Sequence, residues 1–462
     1  MKILQKNFSR CFHSLVYEQY EKCAIIDGNF LFERKIAMMY ALKDGTKLVS
    51  THRIGYTVVR FIASGGQGEV YEVEDKNGGR YALKWYFKHS ATPYQQKLID
   101  RLIVRGAPDD RFLWPLDIIT KDGLFGYVMR LRPPIYKSIV DLMKRRTEPT
   151  FSALCMAAIN LADGYQSMHS QGLCYRDISF GNLFFNPSDG DVLICDNDNV
   201  TVNQDNESAV NGTPRFIAPE IVTGKKFPST ESDLYSMAVL LFYMFMLHHP
   251  LEGAVEANIK CFDAKAMEKI YGHEPVFIWD PDNDSNRPIP GYQNNAIIFW
   301  KMYPPFLREM FTRAFTKGLH DGNARIVEKE WKDAFANLRN IILYCNSCGK
   351  ENFFNKKPKC WSCTKLITPP PAITIGGQKI MLNFNSVIYG HHLQGNFDFK
   401  TSIGKLSQHP TQPGKWGLTN QTNDDWNYTR PNGESAVIPP GKNAPLLTGA
   451  KINFGSATGE IG

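Results

Sequence analysis

The 462-residue chain has no apolar run long enough to cross a bilayer. The best candidate, Met237 to Leu247, falls far short of the ~20 residues a spanning helix needs and reads as a buried helix instead. The first residues, Met1-Lys-Ile-Leu-Gln-Lys-Asn-Phe, contain no continuous apolar segment, so no secretory leader is expected. Charge of one sign is scarce. Lys and Arg number 53 against 46 Asp and Glu, and the net charge of +7 is mild for this length. That balance argues against an obligate polyanion partner. Six of the ten cysteines are scattered, which excludes a disulfide scaffold and fits a reducing, cytoplasmic setting. No Glu occurs between Glu74 and Glu148. With 43% hydrophobic and 21% charged residues, the chain can bury the cores of two or three domains.

The most informative stretch that is present is Cys174-Tyr-Arg-Asp177-Ile-Ser-Phe-Gly-Asn182-Leu183. An Asp followed five positions later by an Asn suits phosphoryl transfer. A carboxylate orients the attacking hydroxyl and takes its proton, and an amide oxygen one short loop away holds a metal on the nucleotide. Alone, this spacing recurs by chance, but here its neighbours are in order. A β-rich run from Tyr56 to Ile62 leads into Ala63-Ser-Gly65-Gly66-Gln-Gly68-Glu-Val70, a loop whose glycines let backbone N–H groups approach phosphates. An ordinary hairpin turn is the plainer reading of that loop taken by itself. Lys84 ends the strand Tyr81-Ala82-Leu83, fourteen positions after Val70, which suits two strands and one turn. Asp196 closes another short strand, nineteen positions after Asp177. Gly212-Thr213-Pro-Arg-Phe-Ile-Ala218-Pro219-Glu220 follows a polar loop, and Arg325 is the expected buried partner of Glu220.

Residues 50–343 therefore resemble a serine/threonine protein kinase of the eukaryotic-like type found in bacteria. The wording Gly-Gly-Gln-Gly-Glu-Val-Tyr, Ala-Leu-Lys-Trp-Tyr and Tyr-Arg-Asp-Ile-Ser-Phe-Gly-Asn is similar to kinases of tellurite-resistance-type gene neighbourhoods. That resemblance implies a protein substrate, with a von Willebrand A-like protein and a protein phosphatase as associates. It implies ATP and Mg2+. Gly65, Gly66 and Gly68 would hold the phosphates, and Val70, Ala82 and Phe184 would sandwich the adenine. Met129 would be the gatekeeper and Leu131 part of the hinge. Lys84 would bind the α- and β-phosphates. Asp177 would be the base, Asn182 and Asp196 the magnesium ligands, and Arg176 the reader of a phosphate on the activation segment, Ser208 for choice. The chain departs from the pattern at four places. Gln95 stands where the helix glutamate is expected, Asn197 and Asp198 replace Phe and Gly after Asp196, and Ser179 replaces a Lys.

Beyond the kinase-like region the pattern changes. Cys345-x2-Cys348 and Cys360-x2-Cys363 are paired knuckles of zinc-ribbon spacing, so residues 344–366 are expected to bind Zn2+. Lys350, Lys356, Lys357 and Lys359 lie among Phe353, Phe354 and Trp361. In so small a fold the aromatics read as core, and nucleic-acid binding is not expected. Three prolines, Pro369 to Pro371, mark residues 367–373 as a stiff linker to a separately folding module. Residues 374–462 read as an all-β sandwich. Tyr389-Gly390-His391-His392, Ser407-Gln-His409 and Trp416-Gly-Leu-Thr-Asn420 resemble a divergent forkhead-associated domain, with His391 where that family carries an Arg. The expected class is thus α+β: a two-lobed protein-kinase fold, a small zinc ribbon and a β-sandwich. Residues 1–49 are an extension without a readable structure.

Overall fold

The computed structural model describes residues 41–203, 212–355, 358–409, 411–412 and 414–462. Most of the N-terminal extension, the segment holding Ser208, and Lys356 with Lys357 lie outside the described residues. The chain divides into two compact units. The first comprises Met1–Pro149, Met156–Lys301 and Arg308–Lys332; the second comprises Thr150–Cys155, Met302–Leu307 and Asp333–Gly462.

In the first unit, six strands form one antiparallel sheet: β1 (Lys47–Val49), β2 (Gly55–Ser64), β3 (Gly68–Asp75), β4 (Arg80–Tyr86), β5 (Asp117–Lys121) and β6 (Leu124–Arg130). Their order is β1-β2-β3-β4-β6-β5. Alternating Tyr56, Val58, Tyr71, Val73, Leu83, Trp85, Ile119 and Val128 bury one cluster, the period-two pattern of a half-covered sheet. The β3–β4 turn is fixed by Asp75, whose Oδ1 accepts the N–H groups of Asn77 and Gly79 at 2.8 Å each. The sheet starts before the boundary expected at residue 50. β1 pairs with β2 from Lys47, and the backbone N–H groups of Ala41 and Leu42 donate to Glu69 and Tyr71.

Helix α1 (Pro93–Arg105) follows β4. Thr92 caps it by accepting the Gln95 N–H, Pro93 sits in its first turn, and Leu98, Ile99 and Leu102 bury one stripe. The remainder of the unit is mainly helical. The two longest helices are α2 (Phe151–Ser170) and α3 (Thr230–Met246). From Tyr235 on, every side chain of α3 is buried, the mark of a helix surrounded by protein, and Ser229 with Ser232 forms its capping box. None of the described helices is long and apolar enough to cross a membrane. Short pairs position the loops between these helices: β7 (Lys137–Ser138), β8 (Leu173–Cys174), β9 (Leu183–Phe185), β10 (Val192–Ile194) and β11 (Thr201–Val202). β9 lies between β10 and β7, and β8 pairs with β11. Helix α4 (Glu328–Asn340) closes the helical part of the chain.

The second unit contains a two-stranded ribbon, β12 (Ile342–Tyr344) with β13 (Glu351–Phe353). It continues into a sandwich of β14 (Ala372–Ile375), β15 (Gln378–Met381), β16 (Val387–Tyr389), β17 (Ser402–Gln408), β18 (Trp416–Asn420), β19 (Trp426–Thr429), β20 (Ser435–Ile438), β21 (Asn443–Pro445), β22 (Lys451–Asn453) and β23 (Thr458–Ile461). One sheet runs β15-β14-β23-β22-β19-β20 and the other β16-β17-β18-β21. Ile373, Ile388, Leu406, Leu418, Trp426, Tyr428 and Ile452 belong to the core between them. An all-β pattern is expected here, yet Gly390–Gln394 makes one turn of helix. Two glycines permit it: a Cβ on Gly390 would meet Asp398 Oδ2 at 2.7 Å, and Gly395 ends the turn with φ +64°. The proline stretch is not a free spacer. Ile367 and Ala372 are buried in one cluster with Leu343, Cys345, Cys360 and Met381, so ribbon and sandwich share a core.

Candidate active site

The β-sheet register gathers the expected nucleotide-facing residues. Val70 stands opposite Lys84, Ala82 opposite Met129, and Lys84 opposite Tyr127. Opposed residues share a face, as do residues two apart, so Val70, Ala82, Lys84 and Met129 line the same side of the sheet. Ala82 and Met129 are buried, while Leu131, just past β6, is half-buried. Phe184 projects from β9, and the Arg132 guanidinium lies over its ring at 4.0 Å. Arg132 is a contact the sequence did not suggest. Of the three loop glycines, Gly65 and Gly66 have open space where a side chain would be. Gly68 is required for another reason: a Cβ there would sit 2.2 Å from the Trp85 carbonyl oxygen, because β3 and β4 approach closely.

Lys84 is almost wholly enclosed, and its ammonium donates to Asp196 Oδ1 (2.8 Å), Asp198 Oδ2 (2.8 Å) and Gln67 Oε1 (2.9 Å). Burial pulls this ammonium's pKa down, but Asp198 and then Asp196 outweigh it and hold it above its ordinary value. Gln95 does not reach Lys84 as the sequence suggested. Its Nε2 donates to the Asp198 carbonyl (2.8 Å) and the Tyr86 hydroxyl (3.2 Å), and Tyr86 in turn donates to Asp198 Oδ2. Asp196 itself adopts the left-handed region, φ +57°, which turns the chain from β10 into the one-turn segment Asn197–Asn199.

The catalytic-loop candidates form a second cluster beside the first. Asp177 Oδ1 accepts the Thr213 hydroxyl at 2.7 Å, and the Asn182 amide donates to the Asp177 carbonyl at 2.8 Å. Burial raises the Asp177 carboxyl, Thr213 opposes the shift, and the Asp196 charge adds to it. The Asp196 carboxyl is raised as well, by burial first, against the pull of Lys84. Two crowded carboxylates beside an amide oxygen make a donor set that a hard divalent cation would relieve.

The loop is anchored from beneath by Asp233, near the start of α3. Its Oδ1 accepts the Arg176 N–H at 2.9 Å and its Oδ2 the Tyr175 N–H at 2.5 Å. His169 bridges Asp233 (3.2 Å) and Glu328, and these acids overcome burial to raise its pKa to about 9. Arg176 is buried with φ +75°, donates to Thr201 at 3.2 Å, and keeps Nε and Nη2 unpartnered among the described residues. Glu220 and Arg325 form the expected pair, bidentate at 2.7 and 2.8 Å.

In the second unit the four cysteine sulfurs lie within 4.8 Å of one another. The Cys345–Cys363 and Cys348–Cys360 sulfurs are 3.6 and 3.5 Å apart, close to the ~3.8 Å edge of a tetrahedron with zinc–sulfur bonds of ~2.3 Å. The knuckles repeat each other. The Cys345 N–H bonds to Lys350 O and the Cys360 N–H to Lys365 O, while Gly349 and Thr364 occupy equivalent positions with φ +71° and +62°. The Ser347 N–H, with smaller contributions from neighbouring groups, pulls Cys345 down to about 6, favouring the thiolate a metal requires.

Of the residues that carry the forkhead-associated resemblance, Ser407 lies opposite Gly417 of β18, but neither lies beside His391. Tyr389 pairs with Ser402 and Val387 with Lys405, so Ser407 and His409 lie toward the end of β17 away from His391. His391 is buried against His392 and Phe399, with ring centroids 4.2 and 4.3 Å away. Burial depresses its pKa to about 4, so it is neutral near pH 7.

A glycine loop, a buried lysine and an Asp–Asn–Asp constellation held on these elements are the arrangement of the protein-kinase fold class. The family description "Protein kinase domain" matches residues 56–290, just over half of the sequence, and the chain belongs to this family. The chain is 25% identical over 232 residues to the cell cycle serine/threonine-protein kinase CDC5/MSD2 of Saccharomyces cerevisiae, covering 48% of this chain and 32% of that protein. It is 31% identical over 202 residues to the serine/threonine-protein kinase PLK1 of Xenopus laevis (42% and 33%). It is 26% identical over 257 residues to the protein kinase C delta type of Rattus norvegicus (53% and 36%). The chain spans about a third of the length of these curated relatives.

Proposed function

We propose that this protein is an ATP-dependent serine/threonine protein kinase with C-terminal modules for partner recognition. The observation that carries the reading is the linked polar cluster in which Lys84 meets Asp196 and Asn182 meets Asp177. The apolar face of Val70, Ala82 and Met129, with Phe184 opposite, takes the adenine. Lys84 neutralises the α- and β-phosphates, and the N–H groups of the open Gly65–Gly66 loop close over them. Asp177 accepts the proton of a protein Ser or Thr hydroxyl as its oxygen bonds to the γ-phosphorus and the bond to the bridging oxygen breaks, releasing ADP. Thr213, donating to Asp177, keeps that carboxylate aimed at the hydroxyl. Asn182 and Asp196 would hold Mg2+, which supplies charge neutralisation on the phosphates. The four thiolates would hold one Zn2+. The sandwich is read as a forkhead-associated-like module that binds its partner without a histidine–phosphate contact. The von Willebrand A-like protein and the phosphatase remain its proposed partners by resemblance.

One observation favours a second reading, a nucleotide-binding scaffold without transfer: Lys84 is held by two acids rather than facing open solvent. Incubation of the purified chain with labelled ATP, magnesium and generic Ser/Thr substrates separates the two. Label on the chain or on a substrate supports the kinase. Mg-ATP binding with no transfer to any protein supports the scaffold.

A further inference from the structure

We propose that Asp198 is the positioning counter-ion of Lys84, a role the helix glutamate fills in the protein kinases this chain resembles. The inference rests on reading Lys84 as the phosphate-binding lysine. Helix α1 contains no glutamate, and its one acid, Asp100, is exposed. The buried acids elsewhere in the sheet are committed. Glu69 accepts from Ala41 and Tyr71, Glu72 pairs with Arg60 and Arg80 at 2.6 and 3.0 Å, and Asp117 accepts from Thr51 at 2.7 Å and lies 2.9 Å from His52. A buried ammonium without a carboxylate beside it bears the full cost of leaving water. Two carboxylates touch it, and they are not equivalent. The Asp196 side chain is 38% exposed and free to turn to a cation, whereas that of Asp198 is 0% exposed. When Asp196 engages a metal, Asp198 still holds the ammonium.

Gln95 has a part in the same arrangement. From the helix position where a glutamate would grip the lysine, its amide grips the acid's own loop, through the Asp198 carbonyl and the Tyr86 hydroxyl. The carboxylate has moved and the helix has kept a hold on it. In a helix-borne pair, displacement of the helix breaks an ion pair. Here the counter-ion and the metal ligand Asp196 are two residues apart, so one loop conformation presents both, and shifting α1 breaks only neutral hydrogen bonds. The competing role for Asp198 is that of a second metal ligand, since its Oδ1 has no partner among the described residues.

The test is made on the full chain, reading ATP affinity with and without magnesium, phosphoryl transfer, and the pH profile of Lys84 acylation by a nucleotide acyl phosphate. Asp198→Asn is expected to weaken Mg-ATP binding about tenfold and slow transfer about a hundredfold, and to shift Lys84 acylation to lower pH. The relocated pair, Gln95→Glu with Asp198→Gly, is expected to recover at least about tenfold over Asp198→Gly alone, while Gln95→Glu alone brings no gain. A relocated pair no better than Asp198→Gly overturns the proposal. So does full recovery of Asp198→Asn by raised magnesium, which would identify a metal ligand. Should the wild type transfer no phosphate, the kinase reading fails while the affinity and acylation arms still judge Asp198. Should Asp198→Asn not fold, the neutral pair Lys84→Met with Asp198→Asn is expected to fold, because an unpaired buried charge is then the cause. Failure of that pair as well would make Asp198 general scaffolding and overturn the proposal.

Discussion

Each unit buries basic side chains, and the outcome depends on whether a carboxylate is left to pair with them. In the first unit, Lys84 lies between Asp196 and Asp198, and His169 between Asp233 and Glu328, and both bases are held protonated. Burial drives His249 of the same unit down to about 4, its neighbour Glu252 being paired with Arg215. In the second, His391 and His392 lie against each other and near Arg339, without a carboxylate in hydrogen-bond contact, and burial drives their pKa values to about 4 and about 3. Burial alone therefore does not set the charge of a buried base. The supply of counter-ions does. In the first unit the fixed charges lie at and beneath the residues proposed to meet a nucleotide. The sandwich keeps its buried bases neutral, as a core built for shape requires.

The largest expected effect would break this contrast at the catalytic end. Asp177→Asn and Asp196→Asn should each lower phosphoryl transfer by at least about a thousandfold, with melting temperature nearly unchanged. Radiolabel assays beside thermal melts check this, and transfer within tenfold of wild type would remove either residue from the chemistry. Next comes the zinc proposed for the second unit. Elemental analysis should find one zinc per chain in the wild type and none in Cys360→Ser, whose ribbon should lose about 3 kcal/mol or more of stability. Full zinc in that variant would reject the four-thiolate site. Asp233→Asn should follow, destabilising the first unit by about 3 kcal/mol, because the amide keeps only one acceptor oxygen, leaves one of the two backbone N–H groups without a partner and removes a negative charge from beside His169. Denaturant melts measure it, and a loss below 0.5 kcal/mol, about the scatter of a surface change, would show that the loop needs no anchor.

His169 in the first unit and the His391–His392 pair in the second should also respond to pH with opposite signs. His169 has a folded pKa of about 9 against 6.5 unfolded. Its stabilising contribution is complete below pH 6.5 and lost as pH rises through 9. His391 and His392 have folded values below 6.5, so the unfolded chain takes up protons first. Their unit keeps full stability above pH 6.5 and loses it as pH falls toward 4 and 3. Hydrogen exchange resolved to the peptides around His169 and around His391–His392, at pH 5, 7 and 9, separates the two sites, and parallel trends there would contradict the assignment. The smallest effect belongs to His391→Leu. Its Nε2 is buried without a partner, so an apolar replacement should be neutral or stabilise by up to about 1 kcal/mol. A clear loss would mean that the histidine has a partner after all.

Residues bound to the chemistry by spacing were legible in the sequence. Asp177, Asn182, Asp196 and Lys84 fall together because loop and strand lengths between them are constrained, and the Glu220–Arg325 pair was readable for the same reason. Asp198 was visible only as a departure. The missing acid of α1 and the surplus acid after Asp196 become one fact when the fold brings them within a hydrogen bond. In the sandwich the all-β class was legible, but not each strand, because a three-residue polar strand such as Asn443–Pro445 carries little alternation. Pro369 to Pro371 read as a spacer because composition reports stiffness and says nothing of the buried Ile367 and Ala372 on either side.

That shared cluster has a kinetic consequence. Cys345 and Cys360 are at once thiolate candidates and members of the apolar core that includes Ala372 of β14 and Met381 of β15. A thiol reagent can reach them only when that core opens. The rate at which they are trapped therefore clocks the breathing of the sandwich's first hairpin, and metal release and hairpin opening become one event seen by two reporters.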